Sequence, residues 1–74
     1  MHIGDLIRLK RKSNRLTQRE LGEMLSSSVN RICYLEKKPK GINRFTYEEI
    51  DKISEILGID KNLLIEEKQR LENT

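Results

Sequence analysis

Residues 17–36 read TQRELGEMLSSSVNRICYLE, a pattern that predicts two short helices joined by a tight turn. Thr17 and Glu20 have the spacing of a capping box, in which each side chain binds the backbone N–H of the other residue. The serine run that follows interrupts the apolar pattern, and Ser28 is a favourable N-cap for a second helix that runs to Glu36. The stretch therefore predicts a helix-turn-helix.

The second helix of this pair has one apolar and one polar side. Each residue of an α-helix advances about 100° around the axis. Ile32 and Leu35 therefore face the first helix, which offers them the apolar edge formed by Leu21 and Leu25. The opposite side is predicted to carry four residues, with Val29 at the exposed N-terminal edge: Asn30, Cys33, Tyr34 and Lys37.

Length and composition predict one small all-α domain. With 74 residues the chain is near the lower size at which a core stabilises itself, and we expect a single domain over residues 1–74. Its one cysteine cannot form an internal disulfide, and this favours a reducing, cytoplasmic setting. No apolar run approaches membrane-spanning length. A single proline and no strand-like alternation predict a compact bundle of about five helices.

The charge is distributed unevenly along the chain. Residues 1–44 contain eleven Lys or Arg and four Asp or Glu, a net +7, whereas residues 45–74 contain four and eight, a net −4. A basic half that contains the helix pair is typical of a protein that meets phosphates. Small proteins can also be lysine-rich merely for solubility. The charge therefore supports phosphate binding only because it coincides with the helix-turn-helix pattern.

The flanking segments predict the remaining helices. Residues 3–13 form the first helix, and residues 46–57 form the fourth, opened by a capping box of Thr46 and Glu49. Residues 37–44, KKPKGINR, follow the helix-turn-helix and are predicted as a lysine-rich loop because proline and glycine interrupt helices. Asn14 is suited to a left-handed helix stop. His2, alone near the N-terminus, is expected to be disordered or on the surface.

A fifth helix is predicted to begin after Asp60. Leu63 and Leu64 are expected to close the floor of the bundle. For residues 65–74 two interpretations remain open: a solvated, fraying end, or a dimer contact to which Ile65 and Leu71 contribute.

Residues 17–36 resemble the helix-turn-helix of the phage Cro and lambda-repressor family, the XRE-type regulators. The resemblance extends from about Ile3 to Leu64. It implies a lambda-repressor-like fold and a homodimer, at least on DNA. The residues that carry it are Leu16, Thr17, Gln18, Glu20, Leu21, Gly22, Leu25, Ser28, Ile32, Leu35 and Glu36.

The resemblance also implies roles for single residues. Gln18 matches a glutamine that clamps a phosphate, and Arg11 matches an arginine that forms a structural ion pair with the glutamate at Glu36. A solvated arginine on a basic helix is the alternative for Arg11. The chain departs from the family at Ser26 and Arg15, where the family has glycine, and at Val29, where it often has glutamine.

These observations predict a surface that binds double-stranded DNA. A recognition helix reads bases with its N-terminal residues, and the amide of Asn30 can bind adenine bidentately. Arg31, on the flank, is expected to meet phosphate rather than guanine. The predicted base-contacting residues are Val29, Asn30, Cys33 and Tyr34. The predicted phosphate-contacting residues are Thr17, Gln18, Arg19, Arg31, Lys37, Lys38, Lys40 and Arg44.

The sequence thus predicts a sequence-specific, repressor-like transcriptional regulator. We expect no enzyme, no cofactor and no metal site, because one histidine and one cysteine cannot assemble a metal-ligand cluster. The alternative is a protein-interaction module of the same fold, such as an antitoxin or anti-repressor that acts through a protein partner. Salt distinguishes the two, since DNA affinity falls steeply with ionic strength. Oxidation of Cys33, on the predicted DNA-facing side, is a further open possibility.

Overall fold

The computed structural model describes residues 1–73; Thr74 lies outside the described residues. It contains α1 (Ile3–Ser13), α2 (Gln18–Met24), α3 (Val29–Lys37), α4 (Tyr47–Leu57) and α5 (Lys61–Glu72), with a 3-10 helix over Gly41–Arg44. Within residues 1–73 there is no β-strand. The predicted all-α bundle of about five helices is confirmed. That residues 1–74 form one domain stays a prediction.

Local hydrogen bonds explain where the helices begin. Thr17 and Thr46 each complete the predicted capping box at the start of α2 and α4. The Ser28 hydroxyl accepts the backbone N–H of Arg31 at the start of α3, and Asp60 accepts that of Asn62 in α5. These side chains occupy backbone donors that the first turn of a helix leaves unpaired.

His2 begins α1 and is neither disordered nor without a role. Its Nδ1 accepts the backbone N–H of Gly4, while the Asp5 carboxylate accepts the backbone N–H of His2. This is a capping box with histidine as the capping residue. His2 is part-buried and ordered by these bonds. Its capping role was not predicted, because sequence rules for caps emphasise Ser, Thr, Asp and Asn.

Helix α3 lies in the middle of the fold, against α1, α2 and the 3-10 helix. Ile32 and Leu35 have no solvent exposure, as the helical pattern predicts. The buried apolar residues form one cluster, which removes their surface from water and supplies most of the driving force for folding. Its members are Ile7, Leu21, Leu25, Ile32, Leu35, Ile42, Phe45, Ile50, Ile53, Leu57, Ile59, Leu64 and Leu71.

Two glycines allow the backbone to approach the last turn of α3. A Cβ at Gly4 would lie 2.5 Å from the carbonyl oxygen of Leu35, and one at Gly41 would lie 2.6 Å from that of Tyr34. Real Cβ atoms essentially never come so close. The segment predicted as a loop therefore folds back as a 3-10 helix and buries Ile42.

Helix α5 covers the bundle with a different set of residues from the expected one. Leu64 is buried, but Leu63 is 50% exposed, so its prediction as a floor residue is wrong. The segment after Ile65 is helical through Glu72, and Leu71 is buried in the chain's own core. The structure thus shows a packed helix where a frayed end was one interpretation. A dimer contact stays a prediction.

Among residues 1–73, two residues other than glycine have left-handed backbone conformations, and they flank α2. Arg15 has φ 59° and Ser26 has φ 52°, at the positions where the resembled family has glycine. Asn14, predicted for this conformation, has φ −88° instead, so the left-handed position falls one residue later. A left-handed conformation disfavours residues that carry a Cβ, and both turns are therefore under local strain.

Candidate nucleic-acid interface

The turn between α2 and α3 depends on a close backbone contact. The backbone N–H of Ser27 donates to the carbonyl oxygen of Gly22 at 2.7 Å. A Cβ at Gly22 would lie 2.9 Å from the Ser27 carbonyl oxygen. Glycine at this position lets the chain reverse tightly, so α3 crosses α2 closely and completes a helix-turn-helix.

The outward side of α3 is open at its N-terminal end. Val29 is 46% exposed and Asn30 is also exposed, whereas Cys33 and Tyr34 are half-buried. Because Ile32 and Leu35 anchor the other side, the exposed side chains are presented by a helix whose rotation is fixed. The predicted base-contacting residues Val29 and Asn30 are accessible, while Cys33 and Tyr34 are less so.

Tyr34 has an arginine over its ring. The guanidinium carbon of Arg44 lies 4.5 Å from the ring centroid, within the range of a cation–π interaction. Arg44 follows the buried part of the 3-10 helix. The contact therefore holds together two residues predicted for different tasks, base contact by Tyr34 and phosphate contact by Arg44.

The predicted ion pair of Arg11 and Glu36 is present in the structure and is bidentate. Arg11 Nε donates to Glu36 Oε2 at 2.6 Å, and Nη2 donates to Oε1 at 3.1 Å. The Glu36 side chain is 2% exposed. Arg11 also donates to the carbonyl oxygen of Leu16 at 2.7 Å. The pair thus ties α1 to the end of α3 and to the turn before α2.

At the start of α2, one predicted phosphate-contacting residue binds within the chain and two are exposed to solvent. Gln18 Nε2 donates to Glu36 Oε1 at 3.1 Å, so this amide completes the ion pair, and a phosphate contact stays a prediction. Thr17 and Arg19 are exposed. The Thr17 hydrogen bonds hold the pKa of Glu20 below its ordinary value, because they favour the ionised carboxylate.

The end of α3 and the segment that follows it present the predicted lysines to solvent. Lys37, Lys38 and Lys40 are exposed, and none has an ion-pair partner among residues 1–73. The backbone that carries them is held by Gly41 against α3. The ammonium groups therefore stay available on a supported segment, which suits contacts to phosphate.

Arg31 has other partners than the predicted phosphate. Its guanidinium forms an ion pair with Glu49, with Nη1 to Oε2 at 2.9 Å and Nη2 to Oε1 at 3.2 Å. It also donates to the Ser27 hydroxyl at 3.0 Å and to the Arg44 carbonyl oxygen, and it lies 4.2 Å from the centroid of the Phe45 ring. A phosphate contact by Arg31 stays a prediction.

Comparison with known proteins supports the motif. Over 67 residues the chain is 33% identical to two proteins named uncharacterized HTH-type transcriptional regulator, from Sinorhizobium medicae and Rhizobium meliloti. The chain is similar to HTH-type regulators. The match covers 90% of this chain and 46% of each relative, so the chain spans about half the length of the curated relatives it matches. No protein-family model matches it, and no solved structure does so significantly.

The similarity supports a helix-turn-helix family, in agreement with the geometry of α2 and α3. In the described part of the chain, every helix is too short or too polar to cross a bilayer. The same residues contain no cluster of three or more His, Cys, Asp or Glu that could hold a metal.

Sequence reasoning missed Glu49 as a residue of this HTH-type surface. The capping box of Thr46 and Glu49 explained its position locally, and nothing in the sequence links it to Arg31, 18 residues earlier. Gly4 and Gly41 were missed as close-approach positions for the same reason. Their neighbours belong to α3, and only the folded chain brings them together.

We expect the Arg31–Glu49 pair to make stability depend on pH. Hydrogen bonds from Arg31 are the main reason that the pKa of Glu49 falls from 4.5 to about 2. The stabilisation is therefore complete above pH 4.5 and is lost as the pH falls towards 2. Because Arg31 is one-third exposed, solvent screening reduces the contribution to about 1–2 kcal/mol. Urea unfolding of the wild type and of Glu49→Gln, from pH 6 down towards pH 2, measures this contribution.

The control for this prediction is Glu48→Gln, which changes the same charge at an exposed neighbour that has no ion-pair partner among the described residues. Glu48→Gln should keep the wild-type pH dependence, whereas Glu49→Gln should flatten it. Identical curves for both variants would contradict the assignment to Glu49.

Proposed function

We propose that this chain is a sequence-specific regulator of transcription that binds double-stranded DNA as a homodimer. It is a repressor-like protein of the Cro and lambda-repressor (XRE) type, and it acts in the cytoplasm without enzymatic activity or a cofactor. Helix α3 enters the major groove. The relatives named HTH-type transcriptional regulators support the general role.

One observation carries the proposal: Asn30 is exposed at the N-terminal end of α3 while Ile32 and Leu35 are fully buried beneath it. Recognition helices place their N-terminal residues against base edges. An exposed amide there can donate to and accept from adenine, which is worth about 1–3 kcal/mol of discrimination. Val29 beside it offers methyl groups to a thymine methyl.

In this proposal the phosphates are bound by cations on both sides of the reading helix. Arg19 precedes it on α2, Lys37 is its last residue, and Lys38 and Lys40 follow it; all four are exposed. The exposed carboxylates of Glu48, Asp51 and Glu55 belong to α4, which follows all four of these cations in the sequence. The division suits a molecule that approaches DNA with one basic side.

A second candidate function is a protein-interaction module, and one groove favours it. The groove lies between α1 and α5 and includes apolar side chains of Met1, Ile3, Leu6 and Leu63. Such a surface suits a protein partner, as in an antitoxin or anti-repressor. Binding through it would respond little to salt, which separates it from the DNA-binding proposal.

The proposal is tested with duplexes selected from a random pool and with a scrambled duplex of the same length. We expect wild-type affinity to fall about a thousandfold between about 50 and 200 mM salt. Asn30→Ala should lose preference for the selected duplex by about tenfold or more. Lys38→Ala should weaken binding to both duplexes alike and reduce the salt slope by about one.

Two outcomes would refute this proposal. One is binding that is insensitive to salt, or no selectable duplex at all. The other is an equal loss on selected and scrambled DNA for both Asn30→Ala and Lys38→Ala, since the division between base and phosphate contacts would then fail. The spacing of half-sites in the selected duplexes reports the dimer geometry.

A further inference from the structure

The Arg31 side chain joins four segments of the fold at one point. Its two terminal nitrogens donate four hydrogen bonds: two to the Glu49 carboxylate, one to the Ser27 hydroxyl and one to the Arg44 carbonyl oxygen. A guanidinium has five N–H donors, so four of them are used within the chain and only Nε–H has no acceptor among these contacts. The guanidinium lies over the Phe45 ring, with its carbon 4.2 Å from the ring centroid.

Its main partner, Glu49, is itself fixed by a second set of contacts. Glu49 Oε1 accepts the backbone N–H of Thr46 at 2.8 Å, and the Thr46 hydroxyl accepts the backbone N–H of Glu49 at 3.1 Å. One carboxylate thus belongs both to the cap of α4 and to the ion pair with α3. The first turns of these two helices are held at a set separation.

The location of this junction bears on the residues proposed to read DNA. Arg31 follows Asn30 directly, and Ser27 lies in the turn that carries the strained Ser26. Both glutamate oxygens bind the guanidinium, and bidentate pairing fixes orientation as well as distance. The pair thus restrains the N-terminal turn of α3, where Val29 and Asn30 are exposed.

We propose that Arg31 is a positioning residue that acts through Glu49: the pair sets the place of the first turn of α3, so that Asn30 reaches a base edge. This inference rests on the proposed DNA-binding function. It assigns to Arg31 the control of sequence preference, and it assigns an acidic residue, Glu49, a favourable effect on DNA binding.

A direct phosphate contact by Arg31 makes the opposite prediction for Glu49. If Arg31 met phosphate, then Glu49→Gln would remove a competing negative charge and strengthen binding to every duplex. If Arg31 positions α3, the same substitution weakens binding to the selected duplex. Glutamine can still serve in a capping box, so α4 keeps its start, and the change falls mainly on the ion pair.

The experiment measures affinity for the selected and scrambled duplexes at several salt concentrations. The proteins are the wild type, Arg31→Met, Glu49→Gln and the double variant, at a temperature where circular dichroism shows all of them folded. We expect each single variant to lose about tenfold of its preference for the selected duplex, the size of one mismatched contact. The double variant should lose no more than either single one, because the pair acts as a unit.

Salt dependence and a control variant complete the test. The salt slope of Arg31→Met should equal that of the wild type, whereas loss of a phosphate contact lowers the slope by about one. Thr46→Ala removes the hydroxyl that caps α4 but keeps the backbone N–H that binds Glu49 Oε1 and both members of the ion pair. It should therefore retain the wild-type preference despite lower stability.

The outcomes separate this inference from the proposed function. Failure of the wild type to bind any duplex in a salt-dependent manner overturns the proposed function. Wild-type binding that Glu49→Gln strengthens or leaves unchanged overturns the inference alone. A reduced salt slope in Arg31→Met does the same, as does a Thr46→Ala variant that loses preference as severely as Glu49→Gln.

Discussion

Arg11→Met is expected to lower the free energy of unfolding by about 3–5 kcal/mol. The substitution keeps most of the aliphatic stem but leaves the Glu36 carboxylate, which is 2% exposed, without its bidentate partner. An unpaired buried charge is costly because the protein interior solvates it poorly. Domains of this size have total stabilities of only about 5 kcal/mol. Urea unfolding followed by circular dichroism, at a temperature near maximum stability, measures the loss.

Two further variants separate the ion pair from general effects of charge. Arg11→Met combined with Glu36→Leu removes both charges and should recover most of the lost stability, since apolar replacements of buried pairs are often neutral or stabilising. Lys12→Met, at an exposed neighbouring position, should change stability by less than about 0.5 kcal/mol. If Arg11→Met were as mild as Lys12→Met, the pair would have no structural importance.

Gly41→Ala is expected to cost about 3 kcal/mol of stability. A Cβ at this position would lie 2.6 Å from the carbonyl oxygen of Tyr34 and 2.7 Å from the Cα of Leu35. Both are backbone atoms of a helix and cannot rotate away, so the 3-10 helix must separate from α3. Overpacking of this kind typically costs about 1–3 kcal/mol, and the upper end is expected where backbone must move. Thermal and urea unfolding give the value.

Gly58→Ala is the matched control for this prediction. Gly58 has φ 69°, and a Cβ added there would have no neighbouring atom within 4 Å, so alanine meets only backbone strain of about 1 kcal/mol. A larger loss at Gly58 than at Gly41 would show that conformation, and not close approach, limits these glycines. Because Gly41 also supports the segment that carries Lys38 and Lys40, its variant should weaken the proposed DNA binding at temperatures where it remains folded.

Much of the fold was predictable because its signals are local. The capping boxes that begin with Thr17 and Thr46 involve residues three apart, and the sequence alone places both helices correctly. The burial of Ile32 and Leu35 follows from helical periodicity. Leu63 and Leu64 show the limit of that method: both are apolar and adjacent, and only packing against the bundle decides that Leu64 is the buried one.

The candidate site was predictable where one element presents it and unpredictable where several meet. The exposure of Asn30 follows from the pattern of α3 itself. The partners of Arg31 do not, because Glu49 and Phe45 come from a segment with its own local explanation. Gly4 and Gly41 likewise gain their importance from close contacts with the backbone of α3, which only the folded chain brings about.

The close backbone contacts of Gly4 and Gly41 with the last turn of α3 have an evolutionary consequence. The helix is held from its C-terminal end and from beneath, through backbone contacts and the buried Ile32 and Leu35. Its exposed side chains Val29 and Asn30 contribute little to that support. Substitutions at these two positions can thus accumulate without loss of folding, and in the proposed DNA-binding function they would change the preferred sequence while the fold stays the same.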